Sequence, residues 1–214
     1  MKTILVSGND TGIGKTWTVG SLGRILCEQG YTVQIVKPVE TGISDGKESD
    51  ASTALKRCSS DRASSYVLRT FAEPIAPACA AAMEGQPFCF DKIVAESMDL
   101  PEVDFRIVEG AGSLAVPFDN SGRDWADFAN AIAADFVILV VEDRLGAIGQ
   151  ARMVHFYGVA KGLKVGLWLN QLVECDERVR QSTLDTLNGL GLPIWGRQAF
   201  GVDEVANLKS FWMD

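Results

Sequence analysis

The chain has 214 residues, 47% of them hydrophobic, and a formal net charge of −8. These values suit a folded α/β domain with a buried core and argue against a disordered chain. No basic block or aromatic-studded basic stripe is present, which speaks against nucleic acid as a partner, and no apolar run reaches the length of a membrane span.

The N-terminus runs from Met1-Lys2-Thr3 straight into an apolar stretch, without signal-peptide architecture. Residues 4–6 read as a buried strand that stops at Ser7-Gly8. Apolar residues at helical spacing (Val19, Leu22, Ile25, Leu26) predict a helix over residues 14–29, with Gly30 as its stop. The β-branched run 32–36 predicts a second strand, so the opening is a βαβ unit with parallel strands. Residues 41–86, richer in Gly, Ser, Asp and Pro, predict loops and short helices lining a site. The alternation then resumes, with a strand over 104–108, a helix over 124–134 and an almost wholly apolar strand over 136–141. A helix over 147–161, a strand over Val165–Asn170, a helix over 176–190 and a short strand over 192–195 complete it.

No repeat or linker interrupts the pattern, which predicts a single domain over residues 1–214. The expected architecture is a doubly wound, mostly parallel sheet in a three-layer α/β/α arrangement of the P-loop NTPase kind. Ligands in such folds sit at the carboxyl ends of the strands. Residues 7–16, 37–41, 109–112 and Asn170 all fall at such ends and point to one shared site.

Gly8-Asn9-Asp10-Thr11-Gly12-Ile13-Gly14-Lys15-Thr16 follows a strand and opens a helix, and has one residue more than the usual phosphate loop. Its chemistry is that of backbone N–H groups and a helix start wrapped around an oxyanion. Lys15 is placed to reach the β- and γ-phosphates of ATP, and the Thr16 hydroxyl to ligate Mg²⁺. Mg²⁺ takes one or two carboxylates besides phosphate oxygens, and Asp50 and Glu109 are the candidates. Asp50 reads equally as a solvated loop acid or a helix cap. Glu109 stands between a buried strand and a Gly-Ala-Gly turn, where an unpaired carboxylate is costly. Lys37, at the end of the second strand, can neutralise charge that develops during phosphoryl transfer.

Taken together, the loop at 8–16, Lys37-Pro-Val-Glu-Thr41, Asp50, Phe71-Ala-Glu-Pro-Ile-Ala-Pro77, Glu109-Gly-Ala-Gly112, Leu145-Gly146 and Asn170 resemble dethiobiotin synthetase in order and spacing. The resemblance implies a cytoplasmic, homodimeric ligase of biotin synthesis. Such an enzyme uses ATP and Mg²⁺ to join CO₂ (or bicarbonate) to 7,8-diaminononanoate and close a ureido ring, by way of a carbamate that ATP phosphorylates. It implies Lys15 and Lys37 as catalytic residues and Thr16, Asp50 and Glu109 as metal ligands. Asn9, Asp10, Thr11, Gly12, Ile13, Gly14, Glu109, Gly110, Gly112 and Asn170 would hold the nucleotide, with Asn170 and the segment after Pro193 near adenine. Thr11, Lys37 and Thr41 would meet the substrate, whose carboxylate would be received by the partner subunit's copy of the turn Leu145, Gly146, Ala147, Ile148 and Gly149, a helix start suited to anions. The sequence departs from the family pattern at Gly12, where Glu is frequent, and at Ala78, Ser113, Gly149 and Ala199.

Two other readings compete with this one. The first is a divergent paralogue that acts on another amine or carboxylate. The second is a regulatory ATPase of the ParA/MinD kind, whose loop carries an additional lysine where Asp10 stands here. His155, the only histidine, lies on a predicted helix away from the motifs and is assigned no chemistry. Ser113 has no histidine near it in sequence, which argues against a hydrolase triad. The five scattered cysteines read as free thiols in a reducing compartment, Cys79 as a small core residue, and Trp168 and Trp195 as packing residues, with Trp195 near enough to the adenine segment to stack there.

Overall fold

The computed structural model describes residues 1–44, 46–86 and 89–213. Seven parallel strands and a short antiparallel one form a single sheet in the order β3-β2-β4-β1-β5-β6-β7-β8. The strands are β1 (Lys2–Gly8), β2 (Val33–Thr41), β3 (Ala63–Phe71), β4 (Phe105–Glu109), β5 (Phe136–Glu142), β6 (Val165–Asn170), β7 (Ile194–Gln198) and β8 (Val205–Ala206).

Helices cover both faces. Because neighbouring strand residues point to opposite sides, Ile4, Val6, Ile35 and Ile107 pack under α1 (Lys15–Glu28) and α2 (Asp50–Cys58), together with Phe211 and Trp212 of the C-terminal turn. Leu5, Val36, Val108 and Leu139 face the other layer. That layer comprises α3 (Pro77–Met83), α4 (Phe90–Met98), α5 (Trp125–Ala131), α6 (Ala147–Ala160) and α7 (Glu177–Gly189). The expected three-layer α/β/α architecture is therefore present. Among the described residues, no helix is long and apolar enough to cross a membrane.

The region expected to be loops and short helices differs most from the reading of its sequence. Residues 63–71 form β3, paired with β2 along its whole length. Ser64, Ser65, Arg69 and Thr70 conceal it, because an edge strand has only one neighbour and tolerates polar side chains. The second strand is also longer than its β-branched run. It continues through Lys37 and Pro38 to Thr41, while its ladder to β4 stops at Val36. Beyond that point only β3 pairs with it, so a residue lacking an N–H does not break a central ladder. Lys37 thus sits within the strand and not at its end. The helix expected over 124–134 is shorter, opening on an Asp124–Asp127 capping box and ending at Ala131. The last parallel strand is shifted to Ile194–Gln198, and α4 had no clear sequence signal. Trp195 stacks on Phe211 with centroids 4.2 Å apart, which makes it a packing residue. Cys79 is exposed and not a core residue.

Candidate active site

The carboxyl ends of β1, β2 and β4 open into a cavity of about 640 Å³. Its floor is the phosphate loop, represented by Thr11, Gly12, Gly14, Lys15 and Thr16. Its walls are Lys37, Glu40, Thr41, Asp50, Glu109, Ala111 and Gly112, and its rim is Pro74–Pro77 with Val116. Three segments far apart in sequence therefore meet at one place, as their positions at strand ends predict.

The loop takes its shape from close backbone approaches. Gly14 caps α1 with φ of 86°, in the left-handed region. A Cβ there would lie 2.0 Å from Asn170 Nδ2. Asn170 Nδ2 in turn donates to the Ile13 carbonyl at 2.9 Å, so the end of β6 clamps the loop from one side. On the other side Asn9 Nδ2 donates to Gln150 Oε1 of α6 at 3.1 Å. Among the residues expected at the nucleotide, Asn9, Asp10, Ile13, Gly110 and Asn170 do not line the cavity. Ile13 is a core residue and Gly110 packs on the Trp125 ring, so these positions shape the site from behind.

The ionic groups interlock. Lys37 Nζ lies 2.7 Å from both Glu109 Oε1 and Asp50 Oδ2, and Thr16 Oγ1 donates to Glu109 Oε1 at 2.9 Å. Lys15 Nζ donates to the Asp10 carbonyl across the loop at 2.7 Å. Burial and the neighbouring Lys37 lower the Lys15 pKa to about 8. Burial pulls Lys37 the same way, but Glu109 and Asp50 outweigh it and raise its pKa. Asp50 is the first residue of α2, and the cap before it is the Ser49 side chain. Glu109 Oε2 is buried without a hydrogen-bond partner among the described residues. A hydroxyl and two carboxylates, one of them with that unpaired buried oxygen, form a donor set that suits a hard divalent cation.

The turn at residues 145–149 lies elsewhere. Leu145, Gly146 and Ile148 line a separate groove against α7, and Leu145 is 81% exposed. His155 lines a third groove on α6 with Arg152 and Phe156, away from the phosphate loop.

Comparison with known proteins agrees with this geometry. The AAA domain family matches residues 2–182. The ATP-dependent dethiobiotin synthetase of Rhodococcus erythropolis is 31% identical over 216 residues, covering 96% of this chain and 94% of its own length. The synthetase of Xanthomonas oryzae pv. oryzae is 33% identical, with 90% and 88% covered. That of Aquifex aeolicus is 30% identical, with 87% and 85% covered. The chain belongs to the dethiobiotin synthetase family. It is therefore an ATP-dependent ligase of biotin synthesis that forms carbon–nitrogen bonds.

Solved structures with lower identity share the fold alone. The signal recognition particle receptor FtsY of Elizabethkingia anophelis superimposes with a TM-score of 0.60 at 17% identity, over 98% of this chain and 62% of that one. The MinC:MinD complex of Aquifex aeolicus gives 0.53 at 15%, over 93% and 81%.

For a member of this family, the residue that sequence reasoning left without a role is Glu40. It is only 3% exposed, yet it stands in the cavity wall beside Lys37 and Asp50. Its signal was available, since it is an acid directly after the stretch Val36–Val39, which is apolar but for Lys37. A second buried cluster was also missed. Arg180 and Arg197 both place Nε 3.1 Å from Asp143 Oδ2, and no local spacing links residues so far apart in the chain.

Proposed function

We propose that this chain is itself a dethiobiotin synthetase, joining CO₂ to 7,8-diaminononanoate with hydrolysis of ATP and closing the ureido ring. The observation that carries this reading is the pair of buried lysines, Lys15 and Lys37, facing one cavity at the start of α1. Phosphoryl transfer needs little covalent help from a protein; it needs positioning and positive charge where negative charge gathers.

Loop N–H groups and the start of α1 hold the nucleotide phosphates, and Lys15 exchanges the Asp10 carbonyl for a terminal phosphate oxygen. Lys37 stabilises the carbamate and the phosphoryl group moving onto it, because its flanking carboxylates keep it charged. One amine captures CO₂ as a carbamate with loss of a proton. The carbamate oxygen takes the terminal phosphoryl group as ADP leaves, and the second amine attacks the same carbon as phosphate leaves. Thr11 and Thr41 offer hydroxyls to the substrate, and the apolar rim at Pro74–Pro77 and Val116 faces its aliphatic part. Thr16, Asp50 and Glu109 would hold Mg²⁺, which when bound supplies positive charge against the phosphates.

The working form in this reading is a homodimer in a reducing cytoplasm. Met153, Phe156 and Val159 on α6 are exposed apolar residues, which suits a face covered by a second copy. The α6 start at residues 145–149 would then receive the substrate carboxylate of the partner.

A coupled ADP assay with 7,8-diaminononanoate and bicarbonate, with product identified by mass spectrometry, tests the reading. ADP release that depends on both substrates and yields dethiobiotin is expected. Purified protein that forms no dethiobiotin at saturating substrates would sink it.

A further inference from the structure

We propose that Glu40 is a positioning residue for the ligase chemistry: its Oε1 accepts the Asp50 N–H at 2.6 Å and so holds the Asp50 carboxylate on the Lys37 ammonium. The inference rests on the function proposed above.

Glu40 lies three residues after Lys37 on β2, and Asp50 opens α2. Between them in the chain, Gly42 and Gly46 take positive φ. Ser49 caps the helix by accepting from Ser52 N, but that bond lies within the helical turn and anchors it to nothing outside. Ala51 and Ala54 bury one side of α2 among the core residues beneath the sheet. Arg57 donates to Ser21 Oγ of α1 and ties the far end of the helix, which leaves the placing of its first residue to contacts at that end. The Glu40 bond supplies that placement. One strand then carries both the cation, Lys37, and the acceptor that sets its carboxylate partner.

The energetics single out Glu40. A residue that only filled this position would be apolar, like its strand neighbours Val36 and Val39, which are fully buried. Glu40 is almost as buried, and its second oxygen has no hydrogen-bond partner among the described residues. Burying a carboxylate with one oxygen orphaned is unfavourable, so the accepted bond to Asp50 must return more than the fold alone would ask.

The test compares Glu40→Ala, Glu40→Asp and Glu40→Gln. Gln keeps an acceptor at the same reach, whereas Asp keeps charge and burial but withdraws the acceptor by one methylene. Expected for Ala and Asp is a fall in kcat of about tenfold with KM for ATP within about twofold, and Gln recovers most of the loss. A second readout needs no turnover. Acetylation of Lys37 by acetic anhydride, followed by peptide mass spectrometry, should quicken about fivefold in Ala and Asp and return towards the wild-type rate in Gln. Wild-type kcat and Lys37 labelling in Ala and Asp, or a Gln variant as impaired as Ala, overturns the proposal. If Ala does not fold, Asp against Gln decides. If wild-type protein makes no dethiobiotin, the functional reading fails, while the labelling rates still decide the role of Glu40.

Discussion

The chain buries ionic groups in two places near the carboxyl ends of its strands, and the two differ in how they are closed. Around Lys37, a single ammonium is shared by Glu109 and Asp50, the Asp50 side chain is 44% exposed, and the group opens onto a large cavity. Around Asp143, a carboxylate with no exposed side-chain surface is held by two guanidiniums, Arg180 and Arg197, that are themselves about nine-tenths buried. Glu177, 66% exposed, pairs with both guanidiniums at the edge of that cluster. An open cluster can exchange partners when phosphates arrive, because its cation is held by charges that also suit a metal. A sealed cluster has no such exchange and acts on the fold, joining β5, β7 and α7. Similar chemistry thus serves reaction in one place and cohesion in the other, and access decides which.

The difference predicts different failures. Asp143→Ala strands two buried guanidiniums and should cost about 3–5 kcal/mol of stability, read as a lower denaturant midpoint. Nucleotide affinity in the fraction still folded should be close to wild type. Lys15→Ala and Lys37→Ala act on turnover. It should fall about 100- to 1,000-fold in each; melting temperature should change little in Lys15→Ala and fall in Lys37→Ala, which leaves the buried Glu109 carboxylate without its cation. Lys37→Ala should retain more nucleotide affinity than Lys15→Ala in equilibrium titration, and equal losses would contradict the separate roles assigned to the two lysines.

The open cluster should also respond to pH. Lys15 is held at a pKa of about 8, below its ordinary value, chiefly by burial and then by Lys37. A bound polyanion favours the charged amine, so binding above that pH must bring a proton with it. Nucleotide affinity should therefore be flat below about pH 7 and weaken by up to about tenfold per pH unit above 8. Calorimetry in two buffers of different ionisation heat should show the proton uptake. The slope should vanish in Lys15→Met, and a wild-type profile that stays flat through pH 9 would sink the account. The smallest effect belongs to the surface control. Lys56 and Glu48 form a 2.8 Å pair, but both are exposed, and Lys56→Ala should leave a melting curve unchanged within error.

How much of this was legible in the sequence follows the same division. The phosphate loop, Glu109 and the apolar strand over 136–141 could be read because each is local, with a glycine turn after a strand or an uninterrupted apolar run. Strand β3 could not, because an edge position lets its sequence alternate poorly and carry serines. Lys37 was recognised but placed at a strand end, since the β-branched run stops at Val36, whereas the strand runs on to Thr41 beside β3 alone. Asp50 had no decisive local signal. Its meaning lies in a contact with a lysine on another element, which the family resemblance supplied and spacing did not. The Asp143 cluster brings together the residue just after β5 with residues of α7 and β7, and no pattern within any one segment announces it.

The clamps on the two shoulders of the phosphate loop carry one more consequence. With Asn170 gripping Ile13 and Gln150 gripping Asn9, the loop is already cast by folding, before any phosphate arrives. The entropy of shaping it is spent once per protein molecule and not at every catalytic cycle. Loosening either shoulder should therefore slow nucleotide capture while leaving the chemical step intact, the signature of a mould that has to be remade each time it is filled.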